Sequence, residues 1–236
     1  MAPTKIWLTR HGSRIDNEDS NWYRSHALNC KPDDPPITDR GRRQAAEVGE
    51  RLQSERIRHV ISSPFQRCGE TAHIPSCENG PKFGSVKIEP GICEVLFEVP
   101  PGFKSNQELK TRFSTVDLEH HPALAKPYHL ETVPECFERV GKAASKIVEK
   151  FTPDETLLFV SHGAPIAGII YALTAEKDAQ FQLGYCSLSS LEKSSKSGDA
   201  YEATLLGNSD HLSDQTQLSP FYFTTGDWLK KLGELN

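Results

Sequence analysis

The run ETLLFVSHGAP, residues 155–165, decides the fold. Its apolar residues follow one another almost without interruption, the pattern of a strand covered on both faces and so of a parallel sheet with helices on either side. PIAGIIYALT (165–174) then reads as a buried helix lying behind that strand. Upstream, from Pro134 onward, Phe137, Val140, Ala144, Ile147, Val148 and Phe151 recur at helical spacing on one face. The same alternation opens the chain. KIWLTR (5–10) reads as a strand and residues 12–36, ending in KPDDPP, as a loop; ITDRGRRQAAEVGERLQSERI (37–57) reads as a helix whose stripe is Ala45, Val48 and Leu52. HVISS (59–63) predicts a second strand, PFQRCGETAHI (64–74) a helix with Pro64 in its first turn, and SVKIEPG (85–91) a third strand.

Strands alternating with helices predict an α/β, three-layer sandwich with a mostly parallel central sheet. CSLSSLEK (186–193) and YEATLLGN (201–208) suggest a hairpin or a pair of edge strands. Residues 92–133 lack a sustained period and are expected to be an excursion over the surface. The tail PFYFTTGDWLKKLG (220–233) offers aromatics to pack but no clear role. No repeat or linker divides residues 1–236, so one domain is expected.

With 236 residues, the chain can bury a core without metal or disulfide support. A formal net charge of −5 supplies no excess of cations to displace phosphate counterions, so nucleic acid is not an expected partner. Any anion site must be a local concentration of positive charge. No run of about eighteen apolar residues suggests a membrane span, and MAPTKIWLTR lacks the apolar centre of a secretory signal. A cytoplasmic protein is expected. The six cysteines are scattered, with no C-x-x-C pair, which points to reduced thiols while leaving disulfides formally open. His120 and His121 are adjacent and do not face one point, so no metal site is predicted there.

Ligands of open parallel sheets gather beyond the carboxyl ends of the strands. Those ends carry Arg10, His11 and Arg14 in TRHGSR (9–14), Arg67 in SSPFQRCGET (62–71) and His162 in SHGAP (161–165), with Glu94 just past the third strand. Three guanidiniums meeting at one place would repel each other, and their planar forks suit phosphate oxygens; a dianion is the natural occupant. A backbone N–H at a helix start, for which Ala164 is the candidate, would add a donor. Nearby arginines would keep His11 neutral, fit to attack phosphorus and form a phosphohistidine. Glu94 would protonate the leaving oxygen and later activate water, with Glu98 as the alternative donor. His162 would bind a phosphoryl oxygen as charge develops in the transition state.

These motifs, TRHGSR, PPITDRGRRQA (35–45), SSPFQRCGETA (62–72) and FVSHGAP (159–165), resemble in this order the histidine phosphatase superfamily, in the branch containing phosphoglycerate mutase. The resemblance runs from about residue 4 to 173. RHGSRIDN (10–17) and KIEPGICE (87–94) look most like the TULA-type and ecdysteroid-phosphate phosphatase domains. It implies a phosphoglycerate mutase-like fold, His11 as the phosphorylated nucleophile, a phosphate pocket of Arg10, Arg14, Arg67 and His162, and Glu94 as proton donor. It also implies no metal, no cofactor and a homodimer. Two departures stand out. Ser13 occupies a position where many relatives have Glu, and Val95 follows Glu94 where the TULA-type pattern has Trp. The expected activity is metal-independent hydrolysis of a phosphorylated small molecule or phosphopeptide: phosphotyrosine, a steroid phosphate or another small organic phosphate. Mutase-type phosphotransfer is the alternative, weakened because the RHG stretch continues SRIDN rather than the Ser-x-Trp-Asn run of mutases. A scaffold protein with weak or lost activity is the third reading.

Overall fold

A computed structural model of the chain describes all residues except 1, 23, 25–30, 78–82, 98, 99, 126, 128, 175–179, 195–199 and 225–236. Six strands form the main sheet: β1 (Lys5–Arg10), β2 (Ile57–Ser62), β3 (Val86–Ile88), β4 (Thr156–Ser161), β6 (Leu188–Lys193) and β7 (Tyr201–Asn208), in the order β3-β2-β4-β1-β6-β7. β4, the apolar run that opened the sequence reading, lies between β1 and β2 and pairs with both in parallel, Phe159 facing Leu8 on one side and Ile61 on the other. β3 pairs in parallel with β2, while β6 runs antiparallel to β1 and β7 antiparallel to β6. The sheet is therefore mostly parallel with an antiparallel flank, and CSLSSLEK and YEATLLGN do pair as neighbours at its edge.

Side chains alternate across the sheet and divide the core into two layers. Trp7, Val60, Leu158 and Val160 join Ala45, Val48 and Leu52 of α2 (Asp39–Leu52) and Cys68 and Ala72 of α3 (Gln66–Ser76). Ile6, Leu8, Ile61, Leu157 and Phe159 face the other way, onto Val140, Ala144 and Ile147 of α5 (Val133–Val148) and Ile166, Ile169 and Ile170 of α6 (Gly163–Leu173). Each large apolar side chain buried this way contributes about 1.5–3 kcal/mol. Among the described residues no helix is long and apolar enough to cross a membrane.

Several boundaries differ from expectation for local reasons. A short α1 (Ile15–Glu18) interrupts the stretch expected to be loop. α2 starts at Asp39 because the Thr38 hydroxyl accepts the Gly41 N–H, and it stops at Leu52; a 3-10 turn and Arg56 in left-handed conformation (φ 51°) redirect the chain into β2. Pro64 is not in the first turn of α3: Phe65 is the N-cap and the helix proper starts at Gln66. Within residues 92–133, α4 (Asn106–Arg112) forms behind a reciprocal Ser105–Glu108 capping box, and Leu109, Phe113 and Val116 are buried against the α2/α3 layer. The excursion thus feeds side chains into the core. His120, expected on an exposed loop, has a side chain only 10% exposed, with Nε2 3.8 Å from the buried carboxylate of Glu89. The tail is not idle either: β8 (Phe221–Thr224) pairs antiparallel with β5 (Gln180–Leu183) in a second, two-stranded sheet.

Candidate active site

The register of the central strands brings the predicted residues together. Arg10 pairs with Ser161, and Ser62 with Val160, so the chain leaves β1, β2 and β4 at one level. The next residues are His11, Ser63 and His162. The His11 N–H donates to the Ser161 carbonyl at 2.9 Å, which extends the ladder by one bond. Gly12 then passes so close to α2 that a Cβ there would lie 2.6 Å from the Gly41 carbonyl oxygen; only glycine fits.

His11 is 1% exposed, and its Nδ1 donates to the Gly12 carbonyl at 2.9 Å. That bond fixes the tautomer and leaves the lone pair on Nε2. Burial, followed by the charges of Arg67 and Arg10, holds its pKa well below the usual imidazole value, so the ring is neutral. Its centroid lies 5.2 Å from that of His162 and 5.5 Å from the ring of Tyr185.

His162 is fully buried at the N-cap of α6. Arg67 Nη2 lies 3.2 Å from His162 Nδ1, and since a guanidinium only donates, Nδ1 accepts; Nε2 then donates to Ser63 Oγ at 2.8 Å. Burial first, then Arg67, also drives this imidazole's pKa far down. Glu94 Oε2 stands 3.5 Å from the same Nδ1, while Glu94 Oε1 accepts the Val95 N–H at 3.1 Å. Ala164 lies in the first turn of α6, where N–H groups have no carbonyl partner inside the helix.

The three arginines are held differently. Arg10 donates through Nη1 to the carbonyls of Leu183 (2.9 Å) and Ser219 (2.5 Å) and lies 4.6 Å over the Tyr185 ring. Burial lowers its pKa. Arg14 forks onto Asp16 at 2.9 and 2.5 Å; burial works against its charge, but Asp16 outweighs it and the pKa is raised. Arg67, at the start of α3, donates to the Asp33 carbonyl at 2.9 Å and lies 4.4 Å over the Phe65 ring. Arg14, Arg67 and Glu94 line an open cleft of about 320 Å³, whose other walls include Phe65, Val95, Leu96 and Phe97. Phe97 is 74% exposed at its rim. Glu98, the alternative donor, lies outside the described residues.

Three contributors escaped the sequence reading. Tyr185 has its ring against His11 and Arg10, and its hydroxyl takes a hydrogen bond from Asn17 Nδ2. Ser63, within SSPFQRCGETA, accepts the Nε2–H of His162. KPDDPP, expected only as the end of a loop, supplies Asp33 and Asp34 beside Arg67. Ser13 donates through Oγ to Glu18 Oε1 at 3.0 Å, which brings a carboxylate of α1 against the strand end. The five described cysteines are free thiols; Cys30 lies outside the described residues.

Asp34 makes the region sensitive to pH. It is 1% exposed; Oδ1 accepts the Gln66 N–H at 2.8 Å and lies 3.9 Å from Arg67 Nη1. Burial pushes its carboxyl up to about 7 despite the opposing charge of Arg67. The native state therefore holds a proton that the unfolded chain releases near pH 4, so this group's contribution to stability falls as pH rises from about 4 to 7. Asp34→Asn removes that titration. Urea unfolding at pH 5 and pH 8 should show wild type losing about 2–3 kcal/mol more than the variant over the interval; parallel losses would contradict this account of Asp34.

Comparison with known proteins adds four observations. The family model described as histidine phosphatase superfamily (branch 1) matches residues 6–202. The ecdysteroid-phosphate phosphatase of Bombyx mori is 29% identical over 203 residues, covering 73% of this chain, which spans only 31% of that relative's length. The protein named probable phosphoglycerate mutase GpmB of Photorhabdus laumondii is 28% identical over 195 residues, covering 80% of this chain and 84% of its own. The crystal structure of the Bombyx ecdysone phosphate phosphatase with tungstate superposes with a TM-score of 0.69 at 22% identity, covering 95% of this chain and 99% of that one, and shows the same fold.

Proposed function

Because the chain belongs to the histidine phosphatase superfamily, branch 1, we propose that it hydrolyses phosphomonoesters through a phosphohistidine on His11, without a metal ion. The observation that carries this reading is the meeting of a buried, neutral His11, its lone pair on Nε2, with the guanidiniums of Arg10, Arg14 and Arg67. With both imidazoles neutral, a phosphate dianion offsets most of the charge of the three guanidiniums.

In the first step, His11 Nε2 attacks phosphorus, the phosphorus–oxygen bond to the leaving group breaks, and Glu94 supplies the proton that oxygen needs. Arg10, Arg14, Arg67 and the Ala164 N–H hold the phosphoryl oxygens, and His162 joins them as charge grows in the transition state by turning its Nε2–H from Ser63 Oγ to a phosphoryl oxygen. In the second, Glu94 takes a proton from water, the water oxygen attacks phosphorus, and His11 leaves as the neutral imidazole it was. The place of Glu94 beside His162, on the cleft wall, supports both duties.

Phe65, Leu96 and Phe97 give the cleft an apolar side. That favours a substrate whose organic part is apolar, such as phosphotyrosine or a steroid phosphate, the latter in keeping with the substrate that the Bombyx relative's name states. Phosphoglycerate, whose small organic part is polar, would leave that apolar side unused. Glu94→Gln tests the chemistry. Hydrolysis of alkyl phosphates should fall about 10²-fold or more, and that of p-nitrophenyl phosphate, whose leaving group needs little protonation, far less. Equal slowing of both would remove Glu94 from the donor role.

A further inference from the structure

Glu94 belongs to neither strand nor helix: it sits in irregular chain after the 3-10 turn Pro90–Ile92. An acid that must meet a leaving oxygen within about 3 Å cannot swing with a loop, so something must hold this segment. The bonds converge on one side chain. Arg139, from the second turn of α5, donates through Nη1 to the Gly91 carbonyl at 2.9 Å and through Nη2 to the carbonyls of Cys93 and Glu94, both at 3.2 Å.

The guanidinium is itself fixed from behind. Its Nε donates to Glu131 Oε2 at 2.9 Å, and Nη2 also bonds Glu131 Oε1. The Glu131 side chain is 1% exposed and that of Arg139 11%. Glu131 also holds the far end of the segment: Oε1 accepts the Leu96 N–H at 3.3 Å, and its own N–H donates to the Leu96 carbonyl at 3.1 Å. One ion pair thus ties down the backbone at Gly91, Cys93, Glu94 and Leu96. None of these bonds involves His11 or the three arginines of the phosphate site.

We infer that Arg139 and Glu131 are positioning residues, a buried clamp that aims Glu94 at the leaving oxygen. This rests on the reading of Glu94 as proton donor. A planar fork serves three carbonyls and a carboxylate at once, whereas a lysine ammonium keeps the charge but not that geometry. The pair also accounts for a buried charge at a distance from the phosphate cage, where an apolar contact would have packed as well.

The test compares Arg139→Lys with Glu94→Gln in the whole chain, measuring kcat/KM for an alkyl phosphate and for 2,4-dinitrophenyl phosphate. Arg139→Lys should lose about 10-fold or more on the alkyl substrate and less than about 3-fold on the activated one, with its circular dichroism retained. A uniform loss, or none, in Arg139→Lys while Glu94→Gln remains selective overturns the clamp and leaves the donor intact. If Glu94→Gln is itself unselective, the donor reading fails and the clamp goes with it. Should Arg139→Lys not fold, Glu131→Gln, which keeps an acceptor for the Leu96 N–H and removes only the charge, is judged by the same selectivity.

Discussion

His11→Ala should abolish turnover of p-nitrophenyl phosphate, by about 10⁴-fold or more, because the proposed route transfers the phosphoryl group to this ring. The fold should survive. The substitution leaves the Gly12 carbonyl without its Nδ1–H donor and opens a small space beside Tyr185 and His162, changes that cost about 1–3 kcal/mol. A cooperative melt at modestly lower temperature is therefore expected alongside a dead enzyme. Retained hydrolysis in the alanine variant would refute a covalent route through this ring. A well-folded wild type with no hydrolysis at all, unaffected by the substitution, would instead return the scaffold reading.

Arg67→Gln carries the second largest expected effect, a loss of about 10²–10³-fold in kcat/KM. Arg67 is the arginine that ties the parts together. It lines the cleft, donates to the Asp33 carbonyl and to His162 Nδ1, and is the nearest positive charge to Asp34. Its removal takes away a fork of the proposed phosphate site and leaves His162 Nδ1 without its donor. It also lifts the main opposition to Asp34 protonation. Inhibition by vanadate should weaken in parallel, since vanadate presents the same oxygens to the same fork. Arg67→Lys should recover part of the activity through its charge but little of the two-pronged geometry. A variant within a few-fold of wild type would show that Arg67 serves the packing of α3 rather than the anion.

The strands that matter most were legible because they are buried on both faces. TLLFVS could be little else, and the stripe Ala45, Val48 and Leu52 was equally direct. The small sheet of β5 and β8 was not legible: two strands of four residues each, some forty residues apart in sequence, leave no period long enough to detect. The helix α4 announced itself only through Ser105 and Glu108, a capping signal easily passed over in a segment without a long apolar repeat.

The site divides in the same way. His11, Arg67 and His162 could be grouped because each ends or follows a strand, and parallel strands in register deliver their ends to one edge. Tyr185, Asp34 and Arg139 reach the site from elsewhere, through packing that brings distant segments together. Nothing in GYCSLSS (184–190) marks its tyrosine as the surface on which Arg10 and His11 rest. Nor does an arginine on an amphipathic helix reveal that it turns inward to bond three carbonyls. Such contacts depend on register and helix rotation, which one sequence does not display.

The most direct measurement is to quench the wild-type protein during turnover of ³²P-labelled substrate and ask where the label sits. The account predicts phosphate lost in acid and stable in base, mapped by mass spectrometry to His11 and missing from His11→Ala. Label that survives acid, or that maps to any other residue while turnover proceeds, would contradict it.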